Sequence, residues 1–302
     1  MRNSTANEIH RQHLLILPYP STSHVIPLLD LTHRLLTGGL TVTLLATPPL
    51  IPLLRPLLSL HPPPFLQTLL LSPPDAPQNR LIPKLRALRE LYDPILEWIR
   101  SQASPPNAIV SNFFLGWANQ LAREAGVPHI VFSPCGALGT ALFYALWRDL
   151  PRNDEPENEN FEVCFEKLPN SPTQRWWQLS HVYRSLKEGD ADWEFFRESA
   201  LANLSSWGTV VNSFTELDRV YIDYFKREMG HNRVWAVGPL LPPEDDDTSQ
   251  TVQKRRNQHY SGGGGVGLAR RTTGLLGGLR LLWKPHVADE RSDGGVGDCA
   301  GV

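Results

Sequence analysis

Residues 13–46, HLLILPYPSTSHVIPLLDLTHRLLTGGLTVTLLA, decide the fold. His13 to Leu17 is a short apolar run stopped by Pro18, which reads as a buried strand. From His24 to Leu36 the apolar residues Val25, Leu28, Leu29, Leu31, Leu35 and Leu36 recur at roughly helical spacing. Thr41 to Ala46 is β-branched and apolar, so a second strand follows. Two strands joined through a helix predict a parallel pair with a crossover.

The same alternation continues outward. Pro48–Leu58 reads as a proline-initiated helix, Phe65–Leu71 as a third strand and Leu81–Arg100 as one long helix. Ala108–Ser111 is a fourth strand, Trp117–Ala125 a helix closed by Gly126, His129–Phe132 a fifth strand and Ala137–Leu150 a further helix. Between 152 and 207 the rhythm breaks into an acidic loop and two helical stretches rich in Trp and charge. It resumes with Thr209–Asn212, a helix over Glu216–Met229 and a last strand, Val234–Val237. The expected class is α/β, an open doubly wound parallel sheet with helices on both faces.

Composition sets the limits of that unit. The chain has 302 residues, 41% hydrophobic and 20% charged, with a net charge of −2. That balance leaves no basic footprint for nucleic acid. No stretch reaches the ~20 apolar residues of a membrane span, and the polar first residues, MRNSTANEIHRQ, lack a signal peptide's apolar core. Cys135, Cys164 and Cys299 show no CxxC spacing, which points to a reducing compartment, the cytoplasm. Of 22 glycines, 12 lie between 261 and 302, whereas one of 27 prolines does. A shift this sharp separates a disordered 1–12, a folded unit over 13–243 with a helical insertion at about 152–207, and a linker and low-complexity tail over 244–302. Gly262, Gly264 and Gly267 satisfy GxGxxG, but KRRNQHYS before them is no strand, so they are not a nucleotide fingerprint.

Ligands of doubly wound sheets sit beyond the carboxyl ends of the strands. There the first strand leads through PYPSTS to His24 at the start of a helix, whose positive terminus favours neutral imidazole. Such a histidine is either a capping or packing residue or a general base. At the end of the fourth strand, where a carboxylate would orient a base, stands Asn112. His10 and His13 lack carboxylate or thiol partners and read as a solvated terminus rather than metal ligands. Phe113, Phe114, Phe143 and Trp147 are candidate walls of an apolar pocket, although aromatic residues are more often core. Cys135 reads as a small buried apolar residue beside that pocket, not a nucleophile.

PYPSTSHVIPLLDLTHRL (18–35) resembles the opening motif of plant-type UDP-dependent glycosyltransferases. AIVSNFFLGWANQLAREAGVPHIVFSP (108–134), VVNSFTELDRVYIDYF (210–225) and RVWAVGPLLPP (233–243) continue the likeness in order and spacing, over residues 13 to about 243. The resemblance implies a two-domain GT-B architecture in which this chain supplies the Rossmann-like acceptor domain. It implies inverting transfer of a sugar from a UDP-sugar, with UDP-glucose first in line, to a small-molecule hydroxyl. His24 would take the acceptor's proton, and no metal or cofactor would be needed because UDP is held by side chains and a helix N-terminus. Ser23 would lie at the acceptor, and Trp176, Trp177 and Trp193 would form pocket walls or contacts with the second domain.

Two departures stand out. The family usually has Asp at the position of Asn112 and Gly at that of Ser23; an amide supplies an acceptor oxygen but no charge, and it can flip. Nothing in 244–302 resembles the donor-binding signature. Yet LWKPHVADER (282–291) admits codons whose shifted frame reads YGSHTLLTNE, similar to the start of the family's second domain. The expectation is therefore an acceptor domain, inactive alone, with a truncated or frame-shifted end; the alternative is a non-catalytic acceptor-binding remnant.

Overall fold

The computed structural model describes residues 12–77, 80–185 and 189–240. The strands β1 (His13–Leu17), β2 (Thr41–Ala46), β3 (Leu66–Leu70), β4 (Ala108–Asn112) and β5 (His129–Ser133) join β8 (Gly208–Val211) and β9 (Val234–Ala236) in one sheet. Its order is β3-β2-β1-β4-β5-β8-β9, and every pairing in it is parallel. This is the expected doubly wound α/β sheet. Sequence order reverses between β1 and β4, where Leu17 pairs with Ser111. That reversal opens the crevice in which such folds bind ligands.

Why the strands are apolar throughout follows from the two cores. Successive strand residues point to opposite faces. Leu14 and Ile16 join Val42, Leu44 and Val110 beneath α1 (Thr22–Thr37) and α2 (Ile51–Leu60). Leu15 and Leu17 face the other way, toward α3 (Leu81–Arg89), α4 (Tyr92–Ser101) and α5 (Ala118–Ala125). The same face carries α6 (Ala137–Asp149), α8 (Ala191–Ala202) and α9 (Thr215–Glu228). Both faces are covered, so neither residue parity has to be polar.

Some boundaries differ from the sequence reading. The long helix expected over 81–100 is two, α3 and α4, broken at Glu90–Leu91. Pro94 is the cause: it has no N–H for the Glu90 carbonyl, and its ring crowds that carbonyl. The 48–58 helix starts as a short 3₁₀ turn at Pro48–Leu50 and runs on to Leu60. In the 152–207 region a small antiparallel ribbon, β6 (Glu162–Cys164) with β7 (Thr173–Arg175), precedes α7 (His181–Ser185) and α8. Glu162–Cys164 sets one Val between Glu and Cys, and Thr173–Arg175 is polar or charged at all three positions, so neither writes a strand period into the sequence. Gly126 ends α5 with φ of 70°, as expected of a glycine closing a helix.

His13 is no solvated terminus. It opens β1, its Nε2 lies 2.8 Å from Thr43 Oγ1, its backbone N–H donates to Asn107 Oδ1 at 2.8 Å, and its ring meets Trp98 edge-on. Among the described residues no group of three or more His, Cys, Asp or Glu is placed to hold a metal. Nor is any of their helices long and apolar enough to cross a membrane. The expectations for residues 1–11, His10, Cys299, the 244–302 tail with Gly262, Gly264 and Gly267, and the 282–291 segment lie outside the described residues.

Candidate active site at the sheet's switch point

Beyond β1 the chain turns through Pro18-Tyr19-Pro20 into α1, where Ser21 carbonyl receives the N–H groups of His24 and Val25 at 2.9 and 2.8 Å. His24 thus stands in the first turn of α1, half-buried at the mouth of the crevice. On the neighbouring strand, β4 ends at the fully buried Asn112. The two meet across the switch point: His24 Nδ1 lies 3.2 Å from Asn112 Oδ1.

A third partner assigns the atoms. Asn112 Oδ1 also accepts the backbone N–H of Phe114 at 3.1 Å. A backbone N–H only donates, so the amide oxygen faces it and the feared flip is blocked. With an oxygen opposite, Nδ1 carries the hydrogen, and Nε2 holds the lone pair. Asn112 Nδ2 is buried with no hydrogen-bond partner among the described residues. An orphaned buried donor costs about 1–3 kcal/mol.

Burial holds the His24 pKa below the ordinary histidine value, and the Asn112 hydrogen bond opposes it only in part. The direction matches the sequence expectation, but desolvation is the leading cause rather than the helix terminus. Neutral imidazole with a free Nε2 is the form that accepts a proton near pH 7. Because Asn112 is uncharged, no carboxylate in that place stabilises the imidazolium that would result.

Aromatic rings enclose the imidazole. Phe113 lies nearly parallel to it (12°, centroids 5.6 Å apart) and Phe114 is tilted at 4.7 Å. Phe143 of α6 meets Phe113 edge-on at 4.9 Å and reaches Phe114 at 6.0 Å. Of the expected wall residues, the fold therefore brings Phe113, Phe114 and Phe143 to His24. Sequence reading missed two: Tyr19, whose ring is 5.2 Å from His24, and Phe196 of α8, 5.9 Å from Phe114. Tyr19 could have been flagged by its place between two prolines at the strand end. Phe196 carried no signal, since its ring partners Phe114, Phe143 and Trp147 lie on distant stretches of the chain.

Other expected residues are elsewhere. Trp147 is fully buried, packed on Phe196, Trp193 and Tyr183, so it is core and not pocket wall. Cys135 is exposed, not buried; the turn after β5 points it outward while its N–H donates to Ser133 Oγ at 3.3 Å. Ser23 is exposed, with its hydroxyl 3.4 Å from that of Ser21. Trp193 is buried beside Trp147, and Trp177 is half exposed. Trp176 lines, with Leu150, Pro151, Tyr183 and Trp193, a separate cleft of about 360 Å³.

No protein-family model matches the chain. It is 47% identical over 243 residues to UDP-glycosyltransferase 89B2 of Stevia rebaudiana, covering 76% of this chain and 52% of that protein. It is 43% identical over 256 residues to flavonol 3-O-glucosyltransferase UGT89B1 of Arabidopsis thaliana, covering 80% and 53%. The chain spans about half the length of the curated relatives it matches. The crystal structure of Arabidopsis thaliana UGT89C1 complexed with quercetin superposes with a TM-score of 0.58 at 28% identity, over 82% of this chain and 55% of that one. The complex of the same protein with UDP-L-rhamnose gives 0.58 at 27% identity, over 80% and 56%. In its sequence and its parallel sheet, this chain is similar to about half the length of plant UDP-glycosyltransferases.

Proposed function

We propose that this domain holds the acceptor in the transfer of a sugar, glucose in the first instance, from a UDP-sugar to a hydroxyl of a small apolar or phenolic molecule. The observation that carries the reading is the His24–Asn112 pair, with Nε2 free, beneath Phe113, Phe114 and Phe143. His24 Nε2 takes the hydroxyl proton as the oxygen's electron pair forms a bond to the anomeric carbon. The bond from that carbon to the UDP oxygen breaks, and UDP leaves with the electron pair. Attack opposite the leaving group inverts the anomeric configuration. The aromatic rings hold a flat acceptor close to Nε2, where proximity replaces a bimolecular encounter. We assign the acceptor residues as Phe113, Phe114 and Phe143, with Ser23 and Cys135 at the rim, and place the protein in the cytoplasm with no resident cofactor.

In this reading the donor is gripped by the family's second domain, and the chain by itself binds acceptor without turning over UDP-sugar. Asn112 favours a second reading, an acceptor-binding module without catalysis, because it supplies the histidine with no charge. Isothermal titration with quercetin and with UDP-glucose, followed by product analysis, tests both. Heat from quercetin alone is expected. Binding of neither overturns the acceptor reading, and sugar transfer by the chain alone overturns both its inactivity and the second reading.

A further inference from the structure

We propose that Tyr19 is a positioning residue for His24, holding the imidazole in the orientation and tautomer that leave Nε2 free. The proposal rests on the reading of His24 as proton acceptor. Asn112, Phe113 and Phe114 approach the imidazole from one stretch, the end of β4. Tyr19 approaches from the other side of the crevice, the turn between β1 and α1. Its ring meets His24 edge-on at 5.2 Å and 69°, and Phe114 at 5.3 Å and 76°, so it abuts both members of a pair that themselves lie 4.7 Å apart.

The Tyr19 ring stands on a stiff backbone. Pro18 and Pro20 flank Tyr19 and lock φ on either side of it. The Tyr19 carbonyl accepts the N–H of Ser21 at 2.8 Å, and the side chain is 5% exposed. A single hydrogen bond of 3.2 Å to Asn112 leaves an imidazole free to rock about it. Phe113, nearly parallel, limits tilt, and the steeply inclined Tyr19 ring blocks rotation of the imidazole toward it. Tyr19 also excludes water from the imidazole, and burial is what weakens that ring's hold on a proton. The Tyr19 hydroxyl is itself pushed up to about 12 by burial, so it stays neutral where imidazole titrates. Asn112, Phe113 and Phe114 are uncharged, so the midpoint of His24 reports enclosure and hydrogen bonding.

The test uses the full chain labelled with ¹⁵N,¹³C-histidine, with His24 identified by the signals lost in His24→Gln. Chemical shifts give its titration midpoint and tautomer in Tyr19→Phe, Tyr19→Leu and Tyr19→Ala. Tyr19→Phe is expected to match the parent in both. Tyr19→Leu and Tyr19→Ala are expected to raise the midpoint by roughly half a pH unit and to populate the Nε2–H tautomer. Should Tyr19→Ala fail to fold, Tyr19→Leu decides. A folded Tyr19→Leu with parental midpoint and tautomer overturns the proposal. So does unfolding of both, which would make Tyr19 a core residue and nothing more. Neither readout needs donor or turnover, so a failure of the transferase reading and a failure of this one remain distinguishable.

Discussion

Asn112 Oδ1 stands 3.2 Å from His24 Nδ1 across the boundary where β1 and β4 pair, joining residues 88 apart in the chain. The contact orients the imidazole but puts no negative charge beside it. Replacing Asn112 with Asp is therefore expected to raise the His24 midpoint by about one pH unit, since an adjacent carboxylate favours imidazolium. Histidine-labelled NMR titration of both chains reads this directly. An unchanged midpoint would show that the Asp stays protonated in its buried seat.

Histidine burial predicts a pH dependence of stability. His129 is buried, with Nε2 2.8 Å from Ser111 Oγ, and desolvation lowers its pKa to about 3. His13, His24 and His61 are lowered for the same leading reason. Each lowered group binds its proton more readily unfolded than folded. Stability is thus full above the unfolded value of about 6.5 and falls as pH drops toward the folded one. For His129 the loss between pH 7 and 5 is about 2 kcal/mol. Urea unfolding at pH 7 and 5 should show a smaller drop for His129→Gln, and equal drops would refute the assignment.

Asp218 tethers the turn leading into α6. Its Oδ2 accepts the N–H of Ala137 at 2.7 Å and the hydroxyl of Ser213 at 2.6 Å. Asp218→Ala strands both donors in a buried place, for an expected loss of about 2–3 kcal/mol. The urea midpoint should fall without a change in slope.

Gly116 lets α8 approach the chain beyond β4. A Cβ there would lie 1.6 Å from the Ser199 carbonyl oxygen, so two backbones would have to part. Gly116→Ala is expected to destabilise by about 3 kcal/mol. A thermal midpoint within experimental scatter of the parent would contradict this packing.

Trp147 and Phe143 separate core from pocket on one helix. Trp147→Ala is expected to lose about 3–5 kcal/mol of stability through the cavity it leaves. Phe143→Ala should instead weaken quercetin binding about tenfold, or 1.4 kcal/mol, with a smaller effect on unfolding. Calorimetry alongside denaturation distinguishes them, and the reverse pattern would exchange the two roles.

Much of the architecture was legible in the chain because strands and helices write their own period into adjacent residues. HLLIL, the stripe from Val25 to Leu36 and TVTLLA placed His24 beyond a strand end before any contact was known. The Pro94 break was legible too, but a persistent leucine stripe across 81–100 masked it. What the residues by themselves determined is the parallel α/β order and the candidate base. Only the tertiary structure decided that Asn112 turns its oxygen to His24, that Tyr19 abuts the imidazole, that Trp147 is sealed in and that Cys135 is not. Periodicity reports which face a residue takes on its own element, whereas these outcomes depend on which distant elements the crossovers bring alongside.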